Sequence, residues 1–132
     1  MILDTNVYTA LLRNIPEAKK LIDNSSALLL PLPVLAELKY GFIKGTRKED
    51  NETKLNKFLS QPSVSVLLPD YETAKSYSVL QYHCKKNGRV LSNNDVWIAA
   101  LAYQHEEKLA TYDKDFEILE SFLGDNLILL QS

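Results

Sequence analysis

Four acids stand where a parallel α/β chain could carry them to one place: Asp4, Glu37, Asp95 and Asp113. Asp4 follows the strand-like run Met1-Ile2-Leu3, and Glu37 lies in Leu35-Ala36-Glu37-Leu38-Lys39-Tyr40-Gly41. Asp95 belongs to Asn93-Asn94-Asp95-Val96-Trp97-Ile98-Ala99-Ala100, and Asp113 to Leu109-Ala110-Thr111-Tyr112-Asp113-Lys114-Asp115-Phe116. Carboxylates brought within a few ångströms repel, and burial makes ionisation worse, so such a cluster must take up protons or a cation. A divalent metal is the natural answer.

Each acid also has a plainer reading. An Asp at a strand-to-helix junction is often only an N-cap, worth about 1 kcal/mol, and Asp4 or Asp113 taken alone fits that reading equally well. Glu37 does not: at helical spacing it shares a face with Val34 and Gly41 and adjoins Leu38, which is poor siting for a solvated acid. Asp95 is similar, set among Val96, Ile98 and Ala99 at the positive end of a helix, where a carboxylate is favoured. Trp97 reads as core rather than as a platform for stacking bases. Asp115 competes with Asp113 for the last position; Asp113 is nearer the strand end and is preferred, leaving Asp115 to support it or to cap a helix.

The elements that must position these acids alternate. β-rich runs at 1–4, 27–31, 64–67, 107–111 and 127–130 are separated by helical stretches, which predicts an α/β fold with a mostly parallel central sheet. Helices are expected from Ile15 to Ile22, from Pro33 to about Gly45, from about Asp70 to Asn87 with Asp70 as N-cap and Gly88 closing it, and from Asn93 or Asn94 to about His105. Lys44 to Lys54, charged and interrupted by glycine, is expected to be the mobile turn of a helical hairpin whose second arm carries Leu55, Phe58 and Leu59. Open parallel sheets gather function at the carboxyl ends of their strands, and all four acids can reach that edge.

Composition sets the bounds. With 132 residues, 45% hydrophobic and 24% charged, the chain has the size and character of one ordinary globular domain. Its apolar runs are too short to span a bilayer and Met1 leads straight into a strand without a basic leader, so a cytoplasmic protein is expected. The single cysteine, Cys84, excludes an internal disulfide and a cysteine zinc site, while His83 and His105 are too few for a histidine cage. A net charge of −2 argues against a broad basic face for nucleic acid, yet a nuclease needs only local positive charge. Arg47-Lys48, Lys85-Lys86 and Arg89 are candidates, each also readable as a solvated helix end, and Arg89 is retained as a substrate-binding candidate.

Taken in order, the four phrases resemble those of the PIN-domain nucleases and, within them, the VapC-type toxins of toxin–antitoxin modules. The resemblance covers the whole chain and implies a single PIN domain over 1–132, a three-layer fold with sheet order 3-2-1-4-5 flanked by helices. It implies that Asp4, Glu37, Asp95 and Asp113 bind Mg²⁺ or Mn²⁺, with Asp4 and Asp95 as main direct ligands. Asn6, Asn94 and Thr111 match polar positions that orient the acids. Leu91-Ser92 departs from the Ile-Pro that many such sequences carry before the Asn-Asp pair, which affects local loop geometry only. The function implied is RNA endonuclease action by metal-activated water, leaving 5′-phosphate and 3′-hydroxyl ends, under inhibition by a VapB-type antitoxin. A homodimer is also implied, and Leu38, Phe42, Leu55 and Phe58 of the hairpin are candidates to line a groove for the antitoxin.

Two other classes compete. A phosphoacceptor receiver-like module also uses an acidic pocket on a parallel sheet, but expects paired acids after the first strand and an Asp after a central one; Asp4 stands alone and no Asp ends the strand near Val66. A flap-type DNA nuclease shares the architecture but needs a larger acidic set and more chain.

Overall fold

The computed structural model describes residues 1–88 and 91–131. The candidate Arg89 lies outside the described residues. The strands are β1 (Ile2–Leu3), β2 (Leu28–Pro31), β3 (Val64–Leu67), β4 (Leu109–Thr111) and β5 (Leu127–Leu129). They form one sheet in the order β3-β2-β1-β4-β5, as expected, and every pairing is parallel. β1 lies at its centre, with Ile2 opposite Leu29 on one side and Leu109 on the other. Helices cover both faces of such a sheet, so its strands read as short continuous apolar runs rather than alternating ones.

Between the strands run α1 (Thr5–Leu12), α2 (Pro16–Asp23), α3 (Leu32–Lys44), α4 (Lys48–Leu59), α5 (Tyr71–Lys86), α6 (Asn93–His105) and α7 (Glu120–Leu123), with a 3₁₀ segment at Lys114–Leu119. α6 is buried nearly all round, and its alanines at 99, 100 and 102 let it lie close against its neighbours. Asp70 caps α5 through a capping box with Thr73. Gln104 of α6 donates to Asp70 Oδ1 at 2.9 Å and accepts from Thr73 Oγ1, so the start of α5 is tied to the end of α6. Gly88, at φ +70°, supplies the left-handed residue that ends α5.

Three expectations need correction. The stretch from Lys44 to Lys54 is mostly helix: α4 begins at Lys48, with Glu49 and Asp50 in its first turn where their charge suits the helix dipole. Leu38, Phe42, Leu55 and Phe58 do not line a groove; they are buried core residues of the α3–α4 hairpin, which Lys39 and Glu52 also bridge at 2.8 Å. The N-cap of α6 is Ser92, whose hydroxyl accepts from Asp95 N, rather than Asn93 or Asn94. Cys84 is buried, and burial pushes its thiol pKa up, so it is held unreactive. No helix among the described residues is long and apolar enough to cross a membrane.

Candidate active site

The carboxyl edge of the sheet brings the end of β1 beside the end of β4, because Leu3 pairs with Ala110. Asp4 leaves β1 and caps α1, accepting from Thr5 N at 2.8 Å. Thr111, the last residue of β4, donates its hydroxyl to Asp4 Oδ2 at 2.7 Å. Thr111 Oγ1 in turn accepts from Asp113 N at 3.0 Å and from Asn6 Nδ2 at 3.4 Å. Asn6 Nδ2 also reaches Asp4 Oδ2 at 3.3 Å, and Asn6 Oδ1 accepts from Tyr112 N at 3.1 Å. A hydroxyl offers one donor and two acceptor sites, so Thr111 is fully used.

Asp4 is only 4% exposed. Burial pushes its pKa up to about 6; the hydrogen bonds from Thr111 and Thr5 oppose that, while the charges of Asp95 and Glu37 add to it. Its carboxylate is well hydrogen-bonded yet has no ion-pair partner among the described residues.

The other half of the site sits on two helices. Glu37, half-buried on α3, accepts from Asn94 Nδ2 at 2.7 Å, and that amide also reaches Pro33 O at 3.1 Å. Asn94 thus turns toward α3 instead of capping its own helix. Asp95 enters α6 one residue later, and its pKa is raised, first by burial and then by the charges of Asp113 and Glu37, against the lowering hydrogen bond from Ser92. The sequence carried a signal for this cap that was passed over: Ser92-Asn93-Asn94-Asp95 has the spacing of a capping box.

Asp113 caps the 3₁₀ segment, accepting from Asp115 N at 2.9 Å. Asp113 stands among the charges raising Asp95. The structure therefore brings Asp4, Glu37, Asp95 and Asp113 into one electrostatic cluster, with Asn6, Thr111 and Asn94 as hydrogen-bonding supports. No Lys or Arg among the described residues pairs with any of the four acids. Nor do three His, Cys, Asp or Glu side chains among those residues converge tightly enough to hold one ion together. Trp97 is half-buried and stacks on Tyr77, ring centroids 4.4 Å apart, rather than lying wholly in the core.

A PIN-domain family model matches residues 1–120. The chain belongs to the PIN-domain family. Within that family it falls among the VapC ribonucleases. It is 30% identical over 121 residues to ribonuclease VapC1 of Haemophilus influenzae, covering 87% of this chain and 88% of that protein. It is 28% identical over 129 residues to ribonuclease VapC2 of Rickettsia felis, covering 94% and 95%. Among solved PIN-domain structures, VapBC2 of Rickettsia felis bound to a promoter DNA fragment superposes with a TM-score of 0.82 at 26% identity, over 99% of this chain and 97% of that one. VapBC-1 of nontypeable Haemophilus influenzae gives 0.80 at 26% identity, over 98% and 96%.

Proposed function

We propose that this PIN-domain protein is a VapC-type toxin, an endoribonuclease that works with Mg²⁺ or Mn²⁺ and is held silent by a VapB-type antitoxin. The observation that carries the reading is Asp4: a buried carboxylate fixed by three donors, coupled to further acids and without an ion-pair partner among the described residues. A site of this kind is built for a cation.

The donor set fits a hard divalent ion, since every candidate ligand is a carboxylate oxygen and neither histidine nor cysteine is among them. Mg²⁺ keeps several of its own waters and takes only one or two carboxylates directly, which accords with four acids that are near one another without closing into a cage. Asp4 and Asp95 would hold it directly, with Glu37 and Asp113 acting through water or on a second ion. When bound, the cation supplies Lewis acidity, making water a better nucleophile near neutral pH and offsetting charge on the phosphoryl oxygens.

The chain's own groups do the orienting. Thr111 and Asn6 aim Asp4 Oδ2, and Asn94 aims Glu37 Oε1, so that neither acid must reorganise as charge develops. Glu37, half-buried at the rim, would be the group to accept a proton from attacking water. No histidine stands at the site to activate a ribose 2′-hydroxyl, and hydrolysis is expected to leave 5′-phosphate and 3′-hydroxyl ends.

The solved relatives support the partner, since VapBC-5 of Mycobacterium tuberculosis is a member of the VapBC family of toxin–antitoxin systems. A homodimer and a cytoplasmic location complete the reading. The test is to incubate the purified chain with RNA in Mg²⁺ and in EDTA and to map the ends produced. Metal-dependent cuts with 5′-phosphates are expected, whereas cyclic-phosphate ends or cleavage in EDTA would refute the mechanism. Co-expression with a neighbouring short reading frame should abolish cleavage if the module is complete.

A further inference from the structure

Beside the acids lies a cavity of about 350 Å³ that the chemistry above leaves unused. Asn6, Thr9, Ala10, Arg13, Ile15, Tyr112 and Gln131 line it. Asn6 is its shared wall with the acidic centre, because the amide that lines the cavity also hydrogen-bonds Asp4 and Thr111. The lining is mainly apolar, and Arg13 is its one cation among the described residues. Arg13 forms no ion pair within 4.0 Å among the described residues.

The root of that side chain is firmly held. Arg13 N donates to Thr9 O at 3.1 Å and Ala10 O at 3.2 Å, Asn14 turns the chain at φ 59°, and Ile15 N returns to Ala10 O at 3.0 Å. A cation at the end of α1 also suits the helix dipole, but lysine would serve that purpose equally. A guanidinium differs in offering a planar fork of donors that matches phosphate.

We propose that this cavity is a nucleotide subsite: it seats the RNA nucleotide next to the scissile phosphate, its apolar walls against sugar and base and Arg13 on the phosphate. The inference rests on the endoribonuclease reading. Charge complementarity favours it, since a cluster of four acids repels a polyanion and the strand needs a fixed positive contact close by. The shared Asn6 wall favours RNA over a peptide, because whatever enters the cavity lies next to the reacting phosphate.

The test measures binding of a fluorescein-labelled, random-sequence, 12-nucleotide RNA by anisotropy across a KCl series. Ca²⁺ replaces Mg²⁺ there, as a hard cation that occupies oxygen sites but promotes hydrolysis poorly. Arg13→Gln should weaken binding about tenfold and make the log–log salt slope shallower by about 0.7, the loss of one phosphate contact on a single strand. Arg13→Lys should restore the slope but not the full affinity. Both variants should unfold at the wild-type midpoint. If wild type binds and cuts RNA but Arg13→Gln equals it in affinity and slope, the subsite is refuted and the nuclease reading stands. If Arg13→Gln leaves RNA binding intact yet weakens inhibition by the co-expressed antitoxin, the cavity is a peptide site instead. If wild type neither binds RNA in Ca²⁺ nor cuts it in Mg²⁺, the nuclease reading falls and the subsite with it.

Discussion

The two halves of the acidic centre are built differently. On the sheet side, Asp4 is buried and held by a shared network: Thr111 serves three partners, and Asn6 ties the start of α1 to the exit of β4. On the helix side, Glu37 and Asp95 are half-exposed, and one amide, Asn94, carries the link between α3 and α6. A rigid wall faces an adjustable one. Buried polar networks are costly to break because each orphaned donor loses a partner it cannot replace with water, whereas half-exposed groups recover their hydrogen bonds from solvent. The sheet side should therefore couple stability to function, and the helix side should carry function almost alone.

The largest effect tests whether both walls belong to one centre. Asp4→Asn and Asp95→Asn should each lower RNA cleavage by about two to three orders of magnitude, the usual scale for removing a positioned electrostatic group. Circular dichroism should show both variants folded. Near-wild-type cleavage by either would remove that acid from the site.

Thr111→Val and Asn94→Ala sharpen the comparison directly. Thr111→Val strands Asp4, Asn6 and the Asp113 amide together, and should cost on the order of 3 kcal/mol of stability as well as most activity. Asn94→Ala should reduce activity about 10- to 100-fold, as loss of an orienting group does, with little change in melting temperature. Equal destabilisation by the two variants would erase the distinction between the walls.

The buried wall should also respond to pH in metal-free buffer. The folded-state pKa of Asp4, about 6, lies above the ordinary value of 3.8, so this group's contribution to stability is fully present below about 4 and is lost as pH rises through 6. The full change is on the order of 3 kcal/mol. In EDTA, the melting temperature of Asp4→Asn should gain on wild type between pH 4 and 7, and Mg²⁺ should reverse the trend. In the same pH range, apparent Mg²⁺ affinity should fall as protons compete below pH 6. A flat difference in EDTA would show that Asp4 is not held in this way.

The smallest effect concerns neighbours. Asp113→Asn should impair cleavage more than Asp115→Asn, yet both should melt close to wild type, since Asn caps a helix about as well as Asp. A Mn²⁺ titration of the two rates decides between them, and a larger defect in Asp115→Asn would exchange their roles.

Much of this architecture was legible in the sequence, for physical reasons. The strands were found within a residue or two because a sheet covered on both faces demands unbroken apolar runs. Their spatial order was not, since alternation predicts a parallel sheet but says nothing about which strand is central; that came from family resemblance. α1 went unread because eight residues beginning Thr5-Asn6-Val7 carry two threonines and a valine, all weak helix formers, and it is held by packing of Val7 and Tyr8. The first turns of α4 were hidden by their charge, as nothing apolar marks a period before Leu55. Glu37 and Asp95 were legible because each sits oddly for its surroundings, whereas Asp4 and Asp113 are marked only by their places just past a strand. Their supports were harder to see: Asn94 looks like a cap until α3 lies beside it. Arg13 could not have been found, because its significance depends on a cavity whose walls come from α1, the loop after β4 and the chain's last residues.

That distance has a consequence in time. The hydrogen bond from Thr111 to Asp4 joins residues 107 apart, and the central strand gains its second neighbour only when β4 arrives. At about 5–20 residues per second, roughly 5 to 21 s separate the synthesis of Asp4 from that of Thr111. A nascent chain therefore carries only half a centre until β4 has been made. For a protein whose proposed substrate is RNA, that delay is a built-in interval in which an inhibitor made alongside it can be ready first.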